Sequence, residues 1–211
     1  MQLRIIAILI AAWGACAGLG FVQMLYDALT PAPAAIAAHQ WPSATELVRD
    51  SDDPTLILFL HPRCPCSRAT LRELERLAAD CGGRFALRLV FVRPAGTSNE
   101  WARTDLYRSA EQIPTAIVSA DENGSDAARF GVTTSGEALL YAADGKLLFH
   151  GGITPSRGHE GDNAGRSAIA SIIQCHPANY TQSAVFGCSL FSHSEPATKR
   201  QSDANTLQPH D

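Results

Sequence analysis

Residues 55–80 leave little freedom in the choice of fold. Thr55-Leu56-Ile57-Leu58-Phe59-Leu60 is an unbroken apolar run without alternation, the pattern of a strand covered on both faces. It leads into His61-Pro62-Arg63-Cys64-Pro65-Cys66, a turn. The spacing then predicts a helix from Ser67, acting as cap, to about Asp80. Leu71, Leu74, Leu77 and Ala78 fall on one face of that helix and charges on the other, and Cys81-Gly82-Gly83 ends it. Phe85 to Val92 reads as a second strand, stopped by Pro94. A strand-helix-strand crossover of this kind is right-handed, so the two strands are parallel.

The rest of the chain extends this plan. Pro42 to Asp50 reads as a short helix capped by Ser43, and Asn99 to Ala110 as another helix. Thr115 to Val118 is a short strand, Asp121-Glu122-Asn123-Gly124 a turn, and Ser125 to Phe130 a short helix. A hairpin follows, from Glu137 to Tyr141, through Asp144-Gly145, to Lys146–His150. Gly151 and Gly152 lead into a polar loop, and Asp162 or Asn163 caps a last helix to Gln174. The expected architecture is α/β, with a mixed central sheet flanked by helices, over a domain at 41–178. Residues 179–211 form a C-terminal extension whose part from about 192 is polar, aperiodic and expected to be disordered.

Ahead of this domain, Ile5 to Tyr26 carries no charged residue. About 20 apolar residues span a bilayer as a helix. Residues 1–29 therefore read as a single-pass transmembrane anchor, and the Pro- and Ala-rich stretch at 30–40 as a linker. Arg4 before the run favours an extracytoplasmic, periplasmic domain. A cleaved signal peptide, with small residues at Ala35 to Ala38, or a lipoprotein on Trp13-Gly14-Ala15-Cys16 would export the domain equally. A net charge of −4 and the lack of any Lys/Arg-rich run argue against nucleic acid as a partner.

Six cysteines are present, and Cys16 lies inside the apolar run. Cys64, Cys66, Cys81, Cys175 and Cys188 remain, an odd number, so they cannot all pair within one chain. Cys64 and Cys66 sit where a central strand meets a helix N-terminus. There the helix dipole and unpaired N–H groups favour a thiolate, the reactive form of cysteine. Arg63 and His61 would add positive potential. Core filler is the alternative reading of the pair, and a proline between two cysteines at a helix start disfavours it. Cys175 and Cys188 could form a disulfide pinning the segment after the last helix, or Cys188 could fold back as a resolving thiol. Cys81 reads as a structural or spare thiol.

These residues resemble the thioredoxin superfamily over most of residues 55–175. The likeness is carried by Phe59-Leu60-His61-Pro62-Arg63-Cys64-Pro65-Cys66-Ser67, by Asp121-Glu122-Asn123-Gly124 through Phe130-Gly131-Val132, and by Asp144-Gly145-Lys146 through Gly151-Gly152. The extra helix around Trp101 looks like that of membrane-tethered TlpA/ResA-like and peroxiredoxin-like branches. With Thr134-Ser135-Gly136 and Arg157-Gly158-His159-Glu160-Gly161-Asp162-Asn163, the whole chain looks similar to RedB-type redoxins. The resemblance places the nucleophilic cysteine at Cys64. It puts Ser67 where the second cysteine of a Cys-x-x-Cys motif would stand, with Cys66 one residue early. It also puts Gly136, preceded by Ser135, where thioredoxins carry a cis-proline. A Cys-x-Cys disulfide closes a smaller, more strained and more oxidising ring.

The second hairpin strand runs parallel to the strand that delivers Cys64, so its C-terminal end emerges on the same edge. Thr154 to Asn163 should therefore lie near the thiols, with Arg157, His159 and Glu160 as positioning or proton-transfer residues. The function implied is a thiol–disulfide oxidoreductase. Cys64 attacks and Cys66 resolves, with no cofactor beyond the redox-active disulfide. Its partners would be exported protein thiols or disulfides and a membrane or soluble electron donor. Two other classes compete. One is a copper carrier using Cys64, Cys66 and His159, or His61, since soft thiolates suit Cu(I). The other is a thiol peroxidase, which the Leu60 found in place of that family's proline disfavours.

Overall fold

The computed structural model describes residues 2–191. Five strands form one sheet in the order β3-β2-β1-β4-β5: β1 Thr55–Leu60, β2 Ala86–Arg93, β3 Ala116–Glu122, β4 Glu137–Tyr141 and β5 Leu147–Gly152. β1 pairs parallel with β2, and β2 with β3. β4 is antiparallel to both β1 and β5. This is the mixed sheet of a thioredoxin-like fold, with β1 at its centre and every β1 residue buried. The turn carrying Cys64 and Cys66 leaves the C-terminal end of β1 and enters α2, Ser67–Cys81.

One core cluster joins alternate residues of β1 and β2 to Leu71, Leu74 and Leu77 of α2 and to Ile169 of the last helix. The other lies on the opposite face, around Phe59, Phe130, Val132, Leu139 and Tyr141, and takes in Leu190. Two layers of apolar contact on one sheet are what the continuous apolarity of β1 demands.

The first helix, α1 Gln2–Leu29, is 28 residues long and exposed along its apolar length. At 1.5 Å per residue it measures about 42 Å, enough to cross a bilayer. The stretch expected as a linker lies against the domain. Ala32 N–H donates to Val185, Ala38 N–H to Phe130, and Leu147 N–H to His39.

Several expected elements differ. Pro42–Asp50 is not helical. Thr45 Oγ1 takes the Leu47 N–H, and Asp50 Oδ1 takes those of Asp52 and Asp53; such local side-chain bonds compete with a helix. The expected helix at Asn99–Ala110 is two, α3 Asn99–Ala102 and α4 Asp105–Glu111, because Thr104 restarts the chain as an extended N-cap. Ser67 does not cap α2: Cys66 holds that position, with no side-chain cap bond. β3 runs on to Glu122, and Asp121 receives the N–H groups of Asp126 and Ala127, fixing α5, Ser125–Phe130. The last helix, α6 Ala164–Ile173, starts at Asn163, whose side chain accepts from Arg166 N–H. The tail from about 192 lies outside the described residues.

Candidate active site

The turn after β1 folds on itself: Cys64 N–H donates to His61 O and Ser67 N–H to Cys64 O. This buries Cys64, 3% exposed, at the mouth of α2. Ser67 is also buried, and its hydroxyl meets that of Ser135 at 2.8 Å. Ser135 Oγ in turn accepts the His61 N–H at 2.8 Å. The serine at the place of a second cysteine therefore clamps the turn to the loop opposite. Gly136 continues that loop at φ +89 and donates its N–H to Phe59 O. A Cβ there would crowd Thr70, and the positive φ favours glycine. Among the described residues there is no cis peptide bond.

The partner of Cys64 comes from far along the chain. Cys188 Sγ lies 2.8 Å from Cys64 Sγ, about 0.8 Å beyond a disulfide length. The chain reaches it by a definite route. Residues 181–183 pair parallel with β5 at His150, which carries them toward the edge where β1 ends. Cys188 O then accepts the Ser135 N–H at 2.8 Å, and Leu190 N–H donates to Thr133 O at 2.9 Å. This makes a short antiparallel bridge between Thr134 and Ser189. The Cys175–Cys188 disulfide is thus not formed: Cys188 faces Cys64, and Cys175 is exposed just beyond α6.

The three thiols differ electrostatically. Burial pushes the Cys64 thiol up. Hydrogen bonds from the Cys188 thiol, the Ser67 hydroxyl and the Cys188 and Cys66 backbone outweigh this, and the thiol lies below its ordinary range. Cys66, half-buried, is raised by burial and then by the Cys64 charge, against the pull of Arg157. Cys188 is pushed up to about 12, by burial first and then by its bond to Cys64 and the charges of Cys64 and Cys66. Of the three thiols, Cys64 alone is shifted in the direction that favours its anion.

The expected supporting residues divide. Burial, then Arg63, lowers the His61 pKa, which works against the charged imidazole and the positive potential expected of it. Its Nδ1 accepts the Arg63 N–H. The Arg63 guanidinium stacks on Trp101, 4.4 Å from the ring centroid, instead of facing Cys64. The 154–163 loop does reach the thiols: the Cβ position of Gly158 is 4.0 Å from Cys66 Sγ. Arg157 donates to Gly187 O at 2.6 Å and to Asp27 O at 3.1 Å, and its N–H binds Ala28 O. It joins the end of α1 to the segment carrying Cys188. His159 is exposed, with Nδ1 at Arg157 O, and Glu160 pairs with Arg72 and Arg76 on α2. Neither has a described hydrogen bond or ion pair with the thiols.

Two organising residues escaped the sequence reading. Glu73, fully buried on α2, binds Arg166 and Arg76 and accepts the Gly161 N–H at 2.8 Å, fixing the 157–163 loop. Glu137, also buried, accepts from the N–H groups of Thr133 and Thr134 and meets His150 Nε2 at 2.5 Å. It holds the loop that binds residues 188–190. For Glu137 the one available signal was its place at the head of the apolar run Ala138-Leu139-Leu140-Tyr141, since a buried carboxylate requires partners; Glu73, among the charges of α2, carried none.

Cys64, Cys66 and Cys188 place their sulfurs within 4.8 Å of one another. The expected metal set of Cys64, Cys66 and His159 is not assembled; Cys188 stands where His159 was expected.

The fold is thioredoxin-like, with Cys64 at the N-terminal end of α2. No protein-family model matches the sequence, and a search of curated proteins finds no match. Among solved structures, the chain is similar to a hypothetical protein from Sinorhizobium meliloti 1021, with TM-score 0.54 and 19% identity over 74% of this chain and 96% of that one. It is also similar to an uncharacterized conserved protein from Geobacillus kaustophilus, with TM-score 0.55 and 19% identity over 80% and 94%. A secreted Mycobacterium tuberculosis disulfide oxidoreductase homologous to E. coli DsbE aligns over 58% of this chain and 81% of its own, at 16% identity and TM-score 0.41. At these identities the likeness concerns the fold.

Proposed function

We propose that the chain is a membrane-anchored thiol–disulfide oxidoreductase, with Cys64 as its nucleophile and its domain on the extracytoplasmic side. The observation that carries the reading is the Cys64 thiol. It sits at the start of α2, is held below the ordinary range by donors from Ser67, Cys188 and the backbone, and has two further thiols in reach. Cys64 thiolate attacks a disulfide of an exported protein, giving a mixed disulfide that a second thiol of this chain resolves. No cofactor is needed beyond the redox-active disulfide so formed. Electrons return from a dithiol donor. The contact of Arg157 with the end of α1 favours a donor in or at the membrane, because it holds the thiols near the helix end that leaves the bilayer.

The test uses the full chain in detergent micelles, with dithiothreitol as donor and insulin as the disulfide substrate. The wild-type chain accelerates insulin reduction and Cys64→Ser abolishes the acceleration. Equal rates with and without Cys64 would sink the reading.

A second reading has its own observation, the three clustered sulfurs. Soft thiolates at this spacing suit Cu(I), making copper a cargo of the reduced form. Stoichiometric Cu(I) retained against a competing chelator, and lost in Cys188→Ser, would support it.

A further inference from the structure

The loop opposite Cys64 offers an open edge: backbone groups of Thr133 and Ser135, beside the reactive sulfur. An extended segment presenting a cysteine to Cys64 would use these groups as a strand does. In this chain the edge is already taken, by Gly187-Cys188-Ser189-Leu190. We infer that this segment is a built-in occupant of the substrate edge. It delivers Cys188 to Cys64 as the resolving thiol, and its own pattern describes the extended protein segments that the edge accepts. The inference rests on the oxidoreductase reading above and names its resolving residue and its substrate class.

Three features of the segment specify the pattern. Gly187 is buried, and a Cβ there would run into the carbonyl oxygen of Ser135. The residue before the reactive cysteine must therefore be very small. Cys188 is tied through its carbonyl to Ser135 N–H, which sets its sulfur against Cys64. Leu190, two residues on, is 5% exposed and packs in the cluster with Phe130 and Val132, whereas Ser189 between them is exposed. The edge thus reads small, cysteine, any residue, apolar.

The order of events follows from charge. While Cys64 is an anion, its hydrogen bond and charge hold the Cys188 proton in place. Burial is the larger influence on that proton; once Cys64 enters a mixed disulfide the bond and charge are gone, and while the segment is lifted burial is relieved too, so Cys188 loses its proton more readily. In the first step the segment lifts and Cys64 Sγ⁻ attacks one sulfur of the substrate disulfide. That S–S bond breaks, and the other substrate sulfur leaves as a thiolate and takes a proton from water. In the second step the segment returns, Cys188 gives its proton to water, and its Sγ attacks Cys64 Sγ. The Cys64–substrate bond breaks, and the second substrate thiolate leaves and is protonated. Two electrons have passed from the Cys64 and Cys188 thiols to the substrate disulfide, and a dithiol donor restores them. Because the returning segment claims the same edge, resolution and product release are one event. The Cys66 sulfur is also within 4.8 Å, but a Cys64–Cys66 bond would close a strained small ring.

The test uses the full chain in micelles and a hexapeptide matching residues 186–191, its cysteine blocked as a mixed disulfide with thionitrobenzoate. Attack by Cys64 releases the chromophore; resolution releases the peptide thiol and is followed by mass spectrometry. Cys66→Ser is expected to resolve at close to the wild-type rate. Cys188→Ser is expected to release chromophore but retain the peptide on Cys64, with a lifetime about 100-fold longer or more, since an intramolecular attacker has been removed. A peptide with valine in place of the glycine should react about tenfold more slowly, because its side chain meets a fixed carbonyl. Trapping in Cys66→Ser with normal resolution in Cys188→Ser would overturn the assignment of Cys188. Equal rates for the two peptides would overturn the substrate pattern. If chromophore release does not depend on Cys64 at all, the oxidoreductase reading fails as well.

Discussion

Leu190→Ala measures how firmly the Cys188 segment is docked. Leu190 is 5% exposed in the cluster around Phe130. Truncating a buried leucine costs about 2–5 kcal/mol. The site lies near the edge of the core, where neighbours can close part of the cavity, so the lower half of the range applies, about 2–3 kcal/mol. That amounts to a roughly 30- to 150-fold rise in the population of the undocked segment. Cys64 is covered while the segment is in place, so its alkylation by iodoacetamide should accelerate by the same factor, read per cysteine by mass spectrometry. The opening is local and exposes little surface, so labelling of Cys64 should depend weakly on urea. Cys81, 0% exposed in the core, reacts only through larger unfolding and should depend on urea steeply. A Cys64 rate within twofold of wild type, or the same urea slope for both cysteines, would refute the reasoning.

Three further outcomes are expected. Ser67→Ala removes a donor to Cys64, whose thiol is held low partly by that bond. A depressed thiol keeps its anion until pH falls through the lowered pKa, so the variant's alkylation profile should lose reactivity at a higher pH than the wild type's; an unmoved profile would count against it. Arg157→Gln should raise the Cys66 thiol further, because Arg157 is the larger of the two groups that lower it, the Cys188 thiol being the other, and Cys66 labelling should then require higher pH than in the wild type. Glu73→Ala leaves Arg166, whose side chain is 18% exposed, without its buried partner, and should cost roughly 2–3 kcal/mol in chemical denaturation after allowance for that exposure; a loss under about 0.5 kcal/mol, the level of an ordinary surface change, would contradict the role given to this pair.

The central strand, the reactive turn and the helix after it are legible in the sequence because period and punctuation agree there: six apolar residues, a proline-flanked turn, then leucines at helical spacing. The parallel relation of β5 to β1 follows from topology, and it correctly brought the 154–163 loop to the thiols. What stays hidden is decided by long-range pairing. Gly187 to Leu190 has no period of its own, and its strand character comes from Thr133–Ser135, more than fifty positions earlier. The odd cysteine count was a hint that one thiol had a distant partner, and a glycine just before Cys188 was a hint of close backbone approach. Neither specifies which edge is approached. His61 and Arg63 were placed correctly on the turn, but burial and the Trp101 ring redirect their charges. The Pro42–Asp50 stretch went wrong for a local reason, since Thr45 and Asp50 satisfy backbone donors that a helix would have used.

The most direct test equilibrates the full chain in micelles with glutathione buffers of defined ratio, traps the thiols with acid, and maps cysteine pairs by mass spectrometry. The account predicts a reversible two-electron couple in which Cys64 is always one partner and Cys188 the other. A Cys64 that remains a free thiol across the whole range of buffers would contradict it.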